Sequence, residues 1–316
     1  MINYSIIIGA YNEADWIGPL LDSIPRRDDV EVLLVDDHSD PEQTAAMRRR
    51  LAERRFPYAS YLANTGKQGL GTTRNVGIAA AQGKWLVFAD ADDSFTPAFA
   101  AALDRYAESS ADQVLFLPQT APNPWGASRT LASERLFEAG DAAVAGYRIA
   151  SAASRFVKRE LVERRGIRFS EVPIGEDTMF SVQVMVNATD VRLDHTPIYT
   201  IAIREGSLYH RRRTMPQLLA TVDLQLAKAR YLREHVFDRA LLRKALPSKG
   251  RHLRMGLVWH GPGGLFRVWL RYLGHGLPLS KQNPGETLRN IVETLRLAVV
   301  ERDGYLPLQV PRKTAP

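Results

Sequence analysis

The sequence has 316 residues, of which 45% are hydrophobic and 24% are charged. This composition is typical of globular proteins, and the length suffices for one large α/β domain with an appendage. The absence of cysteine excludes disulfides, thiolate metal sites and cysteine nucleophiles, so any metal would bind oxygen or histidine ligands. The net charge of +7 is uneven, because residues 201–316 hold 21 Lys and Arg against 8 Asp and Glu.

The amino terminus lacks the basic segment and the long apolar stretch of a secretory signal, and it predicts a first β-strand instead. No window reaches the roughly 18 apolar residues of a membrane span, since glycines, Pro262 and arginines interrupt the best candidate, 255–273. We therefore expect a cytoplasmic protein that is not integral to a membrane.

Short apolar or β-branched segments alternate with segments of helical length through the first half of the chain. The predicted strands are 5–8, 30–35, 58–62, 84–89 and 114–117, and the predicted helices include 14–23 and 44–55. Repeated strand-helix-strand units predict an α/β fold with a mainly parallel central sheet flanked by helices, and ligands of such sheets bind at the carboxyl ends of the strands. A loop is predicted at 118–128.

Two helix starts are predicted from capping residues. Asn12 with Asp15 resembles a capping pair, and Asp40 with Pro41 is typical of the start of a helix. Further along, 176–187 is a possible helix and 191–193 a strand. After Pro216 the apolar spacing becomes helical, which predicts a separate basic helical subdomain at 211–316.

Three aspartates, Asp90, Asp92 and Asp93, directly follow the apolar strand that ends near Ala89. Two carboxylates about 4 Å apart repel by about 4 kcal/mol at an effective dielectric constant of 20. A divalent cation such as Mg²⁺ or Mn²⁺ would offset this repulsion and would keep coordination sites for phosphates. Taken alone, Asp92-Asp93-Ser94 is also consistent with a simple helix cap.

The surrounding motifs favour the metal site. Tyr11-Asn12-Glu13 follows the first strand, 35–40 follows the second, and Thr73-Arg74-Asn75-Val76-Gly77 lies in the helix before Lys84. Together with 90–93, this ordered set resembles the family 2 glycosyltransferases with the GT-A fold, over roughly the first 210 residues. The resemblance implies a GT-A (Rossmann-like) domain at 1–210, with a nucleotide-sugar-binding half at 1–117 and an acceptor half at 118–210.

The resemblance also implies roles for the residues that hold the donor. Tyr11 would stack near the nucleobase with Asn12 beside it, Asp37 would accept a hydrogen bond from the ring N–H of a uridine nucleotide, and Arg74 would lie near the base and phosphates. Each has an ordinary alternative: Tyr11 fills the sheet edge, Asp37 caps a turn, and Arg74 is a solvated helix residue. Two departures from the family pattern, Gly9 and His38, affect details of this pocket.

For the metal, the resemblance implies that Asp92 is a ligand, with Asp90 as a second one, while Asp90 and Asp93 orient the ribose, the sugar or metal-bound water. A second acidic pair, Glu176-Asp177, begins a predicted helix. It either interacts favourably with the helix dipole or, by resemblance, provides Asp177 as the catalytic base with Glu176 in support.

A basic segment follows, in which the resemblance implies that Arg204 binds the donor diphosphate, whose geometry guanidinium groups match. The alternative is that this segment is a solvated basic loop. Residues 250–275 combine arginines with apolar and aromatic residues, a mixture suited to an anionic membrane surface. The same apolar residues would equally suit packing of the helical subdomain. No nucleic-acid-binding motif accompanies the basic charge, so nucleic acid is not an expected partner.

The resemblance predicts an inverting glycosyltransferase that moves a sugar from a nucleoside-diphosphate donor, UDP being favoured, to a hydroxyl of a glycan or lipid-linked acceptor. The expected setting is bacterial surface-polysaccharide synthesis, at the inner face of the membrane if the protein is peripheral. Two alternatives remain: a metal-dependent nucleotidyltransferase, and a non-catalytic sugar-nucleotide-binding protein.

Overall fold

The computed structural model describes residues 1–121, 124–202 and 212–278. The chain forms two compact units, Met1–Ile203 and Arg204–Pro316. The predicted boundary after residue 210 lies a few residues beyond this division, outside the described residues. No helix in the described ranges is both long enough and apolar enough to cross a membrane.

The first unit alternates strands and helices. Its strands are β1 (Tyr4–Ala10), β2 (Val30–Asp36), β3 (Tyr58–Ala63), β4 (Trp85–Asp90), β5 (Ser94–Phe95), β6 (Gln113–Phe116), β7 (Gln119–Thr120), β8 (Arg155–Lys158), β9 (Val191–Asp194) and β10 (Tyr199–Ile201). Its helices are α1 (Ile17–Ser23), α2 (Pro41–Glu53), α3 (Leu70–Ala80), α4 (Ala98–Tyr106), α5 (Pro124–Glu138), α6 (Ala142–Arg148), α7 (Arg159–Arg164) and α8 (Asp177–Asn187).

The main sheet has seven strands in the order β3-β2-β1-β4-β8-β6-β9. The first four are mutually parallel, and β8 runs antiparallel to both β4 and β6. A small second sheet has the strand order β5-β10-β7, and all three of its strands follow β4 in the sequence. The predicted mainly parallel α/β fold is therefore confirmed.

Strand β1 is buried along its whole length, as the central strand of a sheet covered by helices on both faces should be. Ile6 and Ile8 pack with Phe156 in one core, which also contains residues of α1, α2 and α4. Ile7 points to the other face and packs with Phe180 and residues of α3 and α7. The parallel strands therefore end at one common edge, where the loops after β1, β2, β3 and β4 meet.

Two local predictions are wrong. Asn12 and Asp15 do not cap α1, which begins at Ile17 with no capping bond from a side chain. Asn12 has a φ of 53°, and its side chain exchanges hydrogen bonds of 2.9 and 3.1 Å with Asp40, so its polar groups are satisfied by the neighbouring loop. Asp40 does occupy the cap position of α2, before Pro41, although its side chain makes no capping bond.

The segment predicted as a loop at 118–128 also differs. It contains the short strand β7, and α5 begins at Pro124. A proline is well suited to the first turn of a helix, because its missing N–H would have no intrahelical partner there. Pro124 therefore marks the start of a helix rather than the interior of a loop.

The second unit is helical in its described part, with α9 (Met215–His235), α10 (Arg239–Ala245) and α11 (Gly250–Tyr272), so the predicted helical subdomain is confirmed there. Thr214 and Gln217 form a capping box at the start of α9. Helix α11 is broken into two halves at Gly261, whose φ of 67° departs from helical geometry, and Pro262 follows it. The hydrophobic core of this unit includes Val222 of α9 and Met255 of α11.

Candidate active site

The turn that follows β4 carries the acidic cluster. The backbone N–H of Asp93 donates to the carbonyl of Asp90 at 3.1 Å, which closes the turn. The N–H of Asp90 donates to the hydroxyl of Tyr199 at 2.8 Å. Strand β10, which carries Tyr199, therefore fixes the position where Asp90 leaves the sheet.

Asp93 points inward rather than toward solvent. Its side chain is 4% exposed, and the N–H of Ala202 donates to its Oδ1 at 2.7 Å. Burial, reinforced by the nearby charge of Asp90, raises the pKa of Asp93 to about 8. Asp93 is thus an internal group that joins the acidic turn to the second sheet.

Arg74 connects the acidic turn with the second acidic pair. Its side chain is 4% exposed. One terminal nitrogen donates to Asp90 Oδ1 at 2.6 Å, and the other donates to Glu176 Oε1 at 2.9 Å. Although burial alone would lower the pKa of Arg74, the two carboxylates raise it. The guanidinium is thereby a permanent positive charge between two elements that lie far apart in sequence.

The same helix, α3, docks the segment that precedes α8. The Asn75 side chain exchanges hydrogen bonds of 2.8 and 3.0 Å with the backbone of Phe169. Gly71 allows close approach, because a Cβ there would lie 2.2 Å from the carbonyl oxygen of Ser170. The Thr73–Gly77 motif and its surroundings therefore position Glu176 and Asp177 as well as the acidic turn.

Asp177 is the first residue of α8. Gly175, two residues earlier, has a φ of 81°, which turns the chain into the helix. Its pKa is raised to about 6, chiefly by burial and then by the charge of Glu176, whereas Arg74 and Arg155 act in the opposite direction. A carboxylate with a pKa near 6 is ionised at neutral pH and binds a proton more strongly than an ordinary aspartate. These are the properties of a general base.

Arg155, the first residue of β8, is a fully buried cation. Its guanidinium donates to two neutral acceptors, the Gln113 amide oxygen at 3.1 Å and the Ile149 carbonyl at 2.7 Å. Burial lowers its pKa to about 10, which leaves it charged at neutral pH. No carboxylate pairs directly with it within the parts of the chain that the structure describes, and Asp177 is the acidic group whose charge acts on it.

The loops after β1, β2 and β3 lie side by side at the same edge of the sheet. Asp37 is 7% exposed, and its carboxylate accepts hydrogen bonds from the Asn64 amide at 2.7 Å and from the N–H of Gly69 at 2.9 Å. Tyr11 is 50% exposed, so its ring face is accessible. The N–H of Asn12 donates to the Ser39 hydroxyl at 2.8 Å, which ties these loops together.

The fit of a divalent metal rests on Asp92 and Asp90. Within residues 1–121, 124–202 and 212–278, no three Asp, Glu or His side chains gather as metal ligands. Mg²⁺ is commonly held by one or two carboxylates together with substrate phosphates. Asp92 is partly exposed, and Asp90 keeps the oxygen that Arg74 does not bind, so these two residues fit such an ion, while buried Asp93 does not.

The predicted residues fall into three groups. Asp90, Glu176 and Asp177 gather around Arg74, and Asp92 and Asp93 belong to the same turn as Asp90. Tyr11, Asn12 and Asp37 lie on neighbouring loops of the same sheet edge. Arg204 lies outside the described residues.

Sequence reasoning missed Asn64, Tyr199, Arg155 and Ser154. Asn64 directly follows β3 at the ligand-binding edge, a position that the sequence could have revealed. Ser154 has a φ of 58° and a buried hydroxyl without a partner in the described ranges. Tyr199 and Arg155 gain importance from contacts with distant segments, for which a single sequence carries no signal.

Comparisons with known proteins agree with this architecture. Residues 5–164 match the model of Glycosyl transferase family 2. The chain is 24% identical over 214 residues to the poly(ribitol-phosphate) beta-N-acetylglucosaminyltransferase TarS of Staphylococcus aureus, covering 65% of this chain but 36% of that protein. It is 25% identical over 266 residues to the succinoglycan biosynthesis protein ExoO of Rhizobium meliloti, covering 79% and 72% of the two chains.

Solved structures show the same fold. The crystal structure of S. aureus TarS 1–349 in complex with UDP-GlcNAc superposes with a TM-score of 0.61 at 19% identity, covering 94% of this chain and 82% of that one. The mannosyltransferase PcManGT of Pyrobaculum calidifontis, in complex with GDP-Man and Mn²⁺, superposes with a TM-score of 0.58 at 18% identity, covering 93% and 80%. The chain spans about a third of the staphylococcal relative's full length. With half of its residues matched by the family model and with a GT-A fold throughout its first unit, the chain belongs to glycosyl transferase family 2.

Proposed function

We propose that this protein is an inverting glycosyltransferase that moves a sugar from a nucleoside-diphosphate donor to a hydroxyl of a glycan or lipid-linked acceptor. The observation that carries the proposal is the pairing, through Arg74, of a turn suited to metal and diphosphate with a raised-pKa aspartate, Asp177. The acidic turn is suited to the leaving diphosphate, and Asp177 is suited to the incoming hydroxyl.

In the proposed reaction the acceptor oxygen attacks the anomeric carbon as the bond from that carbon to the diphosphate oxygen breaks. The electron pair of the breaking bond leaves with the nucleoside diphosphate, and Asp177 accepts the proton of the attacking hydroxyl. Attack opposite the leaving group inverts the configuration at the anomeric carbon. Glu176, fixed by Arg74, holds the loop that carries Asp177.

Asp92 and Asp90 would hold Mg²⁺ or Mn²⁺, for which the Mn²⁺ complex of PcManGT gives support. When bound, the ion offsets negative charge on the departing diphosphate. Arg74 keeps one oxygen of Asp90 occupied, so that the other oxygen has a defined direction.

For the nucleotide, Tyr11 offers an exposed ring for stacking and Asp37 a fixed acceptor for a base N–H. Each oxygen of a carboxylate has two lone pairs, so Asp37 retains acceptor capacity beside its contacts with Asn64 and Gly69. UDP-sugars are the first donors to test. They are supported by the complex of TarS with UDP-GlcNAc, whereas the complex of PcManGT with GDP-Man makes GDP-sugars the comparison.

The proposed setting is bacterial surface-polysaccharide synthesis on the cytoplasmic side of the membrane, with the protein peripheral to its inner face. Support comes from relatives described as acting on poly(ribitol-phosphate) and in succinoglycan biosynthesis. A lipid-linked acceptor would be presented at that surface.

The central test is a screen of nucleotide sugars with glycan acceptors, read by mass spectrometry of both products. Release of nucleoside diphosphate with a glycosylated acceptor is the expected result. Release of pyrophosphate would instead identify a nucleotidyltransferase. If no donor is turned over and Asp177→Asn leaves cellular glycan unchanged, the protein is a non-catalytic nucleotide-sugar binder.

The metal assignment has its own test. Calorimetry of donor binding with Mn²⁺ should show tight binding by the wild type, with loss of affinity on adding EDTA. Asp92→Ala should bind the donor equally weakly with and without metal. If this variant keeps metal-dependent binding, Asp92 is not a ligand.

A further inference from the structure

The second half of α11 has an exposed apolar face. Phe266, Trp269, Leu270 and Leu273, which we name the outer stripe, are 56, 43, 47 and 57% exposed. The first three lie in α11 and Leu273 is its C-cap residue, and their spacing of three, one and three residues places them on one side of the helix. The opposite side is buried in the helical core at Val268. Contiguous apolar side chains of this size on a solvent-facing helix mark an interaction surface.

The first half of α11 does not share this property. Met255 is buried, and Leu253 and Trp259 pack against the core of the unit. The sequence-based expectation of a membrane-contacting surface at 250–275 is therefore narrowed to the half that follows Gly261. The φ of 67° at Gly261 separates the two halves, so that the second one presents its own face.

The helical unit that carries the outer stripe is strongly positive in its described part. Residues 212–278 hold thirteen Lys and Arg against three Asp and Glu, a net charge of +10. Arg267 adjoins the stripe and is exposed. Arg271 pairs with Asp223 at 2.6 Å, which fixes the helix to α9. A positive surface with an apolar stripe matches the layer where anionic lipid headgroups meet acyl chains.

The two aromatic residues of the stripe support the same partner. The rings of Phe266 and Trp269 lie 5.9 Å apart in a stacked arrangement, and aromatic residues are favoured where an apolar layer meets water. A second copy of the chain would bring together two helical units, each with a net charge of +10 over residues 212–278, which electrostatic repulsion opposes. The stripe itself offers few hydrogen-bonding groups to a soluble glycan.

We propose that the outer stripe inserts into the interfacial layer of an anionic lipid bilayer while Arg267 contacts lipid phosphates. The inference deepens the proposed function, because it names the surface at which a lipid-linked acceptor would be met. The biological purpose of membrane binding rests on the proposed function, whereas membrane binding itself can be tested without it.

The test is flotation of the full chain with vesicles of phosphatidylcholine containing phosphatidylglycerol, compared with vesicles of phosphatidylcholine. The wild type should float with the anionic vesicles and not with the neutral ones. The double variant Phe266→Ser/Trp269→Ser should reduce vesicle affinity by about tenfold or more, because it removes most of the aromatic area available for insertion. Arg267→Gln should weaken binding and lessen its sensitivity to salt.

Phe237→Ser is the matched control, since Phe237 is 87% exposed in the same unit but outside the stripe, and it should float like the wild type. All variants should keep wild-type helicity by circular dichroism.

Failure of the wild type to float at low salt would overturn the proposal, as would unchanged flotation of the double variant. Self-association of the wild type that the double variant abolishes, measured by sedimentation, would assign the stripe to a second copy instead. Transfer to a soluble acceptor tests the proposed function separately, and the double variant should retain it.

Discussion

The guanidinium of Arg74 donates a hydrogen bond of 2.9 Å to the carboxylate of Glu176, 102 positions later in the chain. Its other terminal nitrogen binds Asp90 at 2.6 Å. Helix α3 therefore joins the end of β4 to the start of α8. The distance between the acidic turn and Asp177 is therefore set by this connection through α3, not by the local structure of the turn or of the start of α8.

Arg74→Lys should lower the turnover rate by about 10- to 100-fold, because one ammonium group cannot replace two charge-assisted hydrogen bonds worth about 1.5 to 3 kcal/mol each. Arg74→Met should in addition reduce the free energy of unfolding by about 3 to 5 kcal/mol, since it leaves partly buried carboxylates without a counter-charge. Steady-state kinetics and urea unfolding measure the two effects. Arg164→Met, at an exposed position of α7, should alter neither. Near-normal turnover of Arg74→Lys would show that the bridge is not needed for catalysis.

The turnover rate should depend on pH with an acidic limb near pH 6. The pKa of Asp177 is raised from its ordinary value to about 6, so the base is protonated and inactive below that pH and ionised above it. The rate should fall about tenfold per pH unit below the limb and become level above it. Rate measurements at saturating donor and metal locate the limb. A limb near pH 4, where an unperturbed aspartate titrates, would contradict the assignment.

Arg155→Gln should move this limb upward by about one pH unit, because the buried positive charge of Arg155 favours the ionised form of Asp177. Arg155→Lys disturbs the packing comparably but keeps the charge, so its limb should stay near the wild-type position. The readout is the pH profile of turnover, which a purely structural role would not shift. An unmoved limb in a folded Arg155→Gln variant would exclude an electrostatic effect on the base.

Tyr199→Phe should reduce the free energy of unfolding by about 1 to 3 kcal/mol. The Tyr199 hydroxyl accepts from the N–H of Asp90 and lies within hydrogen-bonding reach of Asp93, so its removal leaves a buried donor and a buried carboxyl without that partner. Urea unfolding measures the change. Tyr58→Phe provides the comparison, since Tyr58 is 49% exposed and its loss should have little effect. Equal stability of the two variants would argue against this structural role.

Several parts of the fold could be predicted from local sequence. The apolar segment of β1 and the acidic residues that follow β2 and β4 indicated the parallel strands and the edge of the sheet at which they end. Side-chain burial in a central parallel strand requires a continuous apolar sequence, so the pattern is visible in the chain itself. The prediction at Asn12 is wrong because a polar side chain near a helix start can bind another loop instead of capping the helix. The prediction at Pro124 is wrong because proline occurs both in loops and in the first turn of helices.

The sequence by itself determined the family, the parallel sheet and the set of acidic residues at its edge, because these depend on residues close together in the chain. Tertiary structure alone decided the surroundings of each residue: Asp93 turns inward toward Tyr199, Asp90 is held by Arg74, and Asp177 lies half-buried where the charge of Arg155 acts on it. Burial and charge neighbours set the pKa of each carboxyl. In this domain they come from segments up to about a hundred positions away, brought together only when α3, α8 and the second sheet pack against β4.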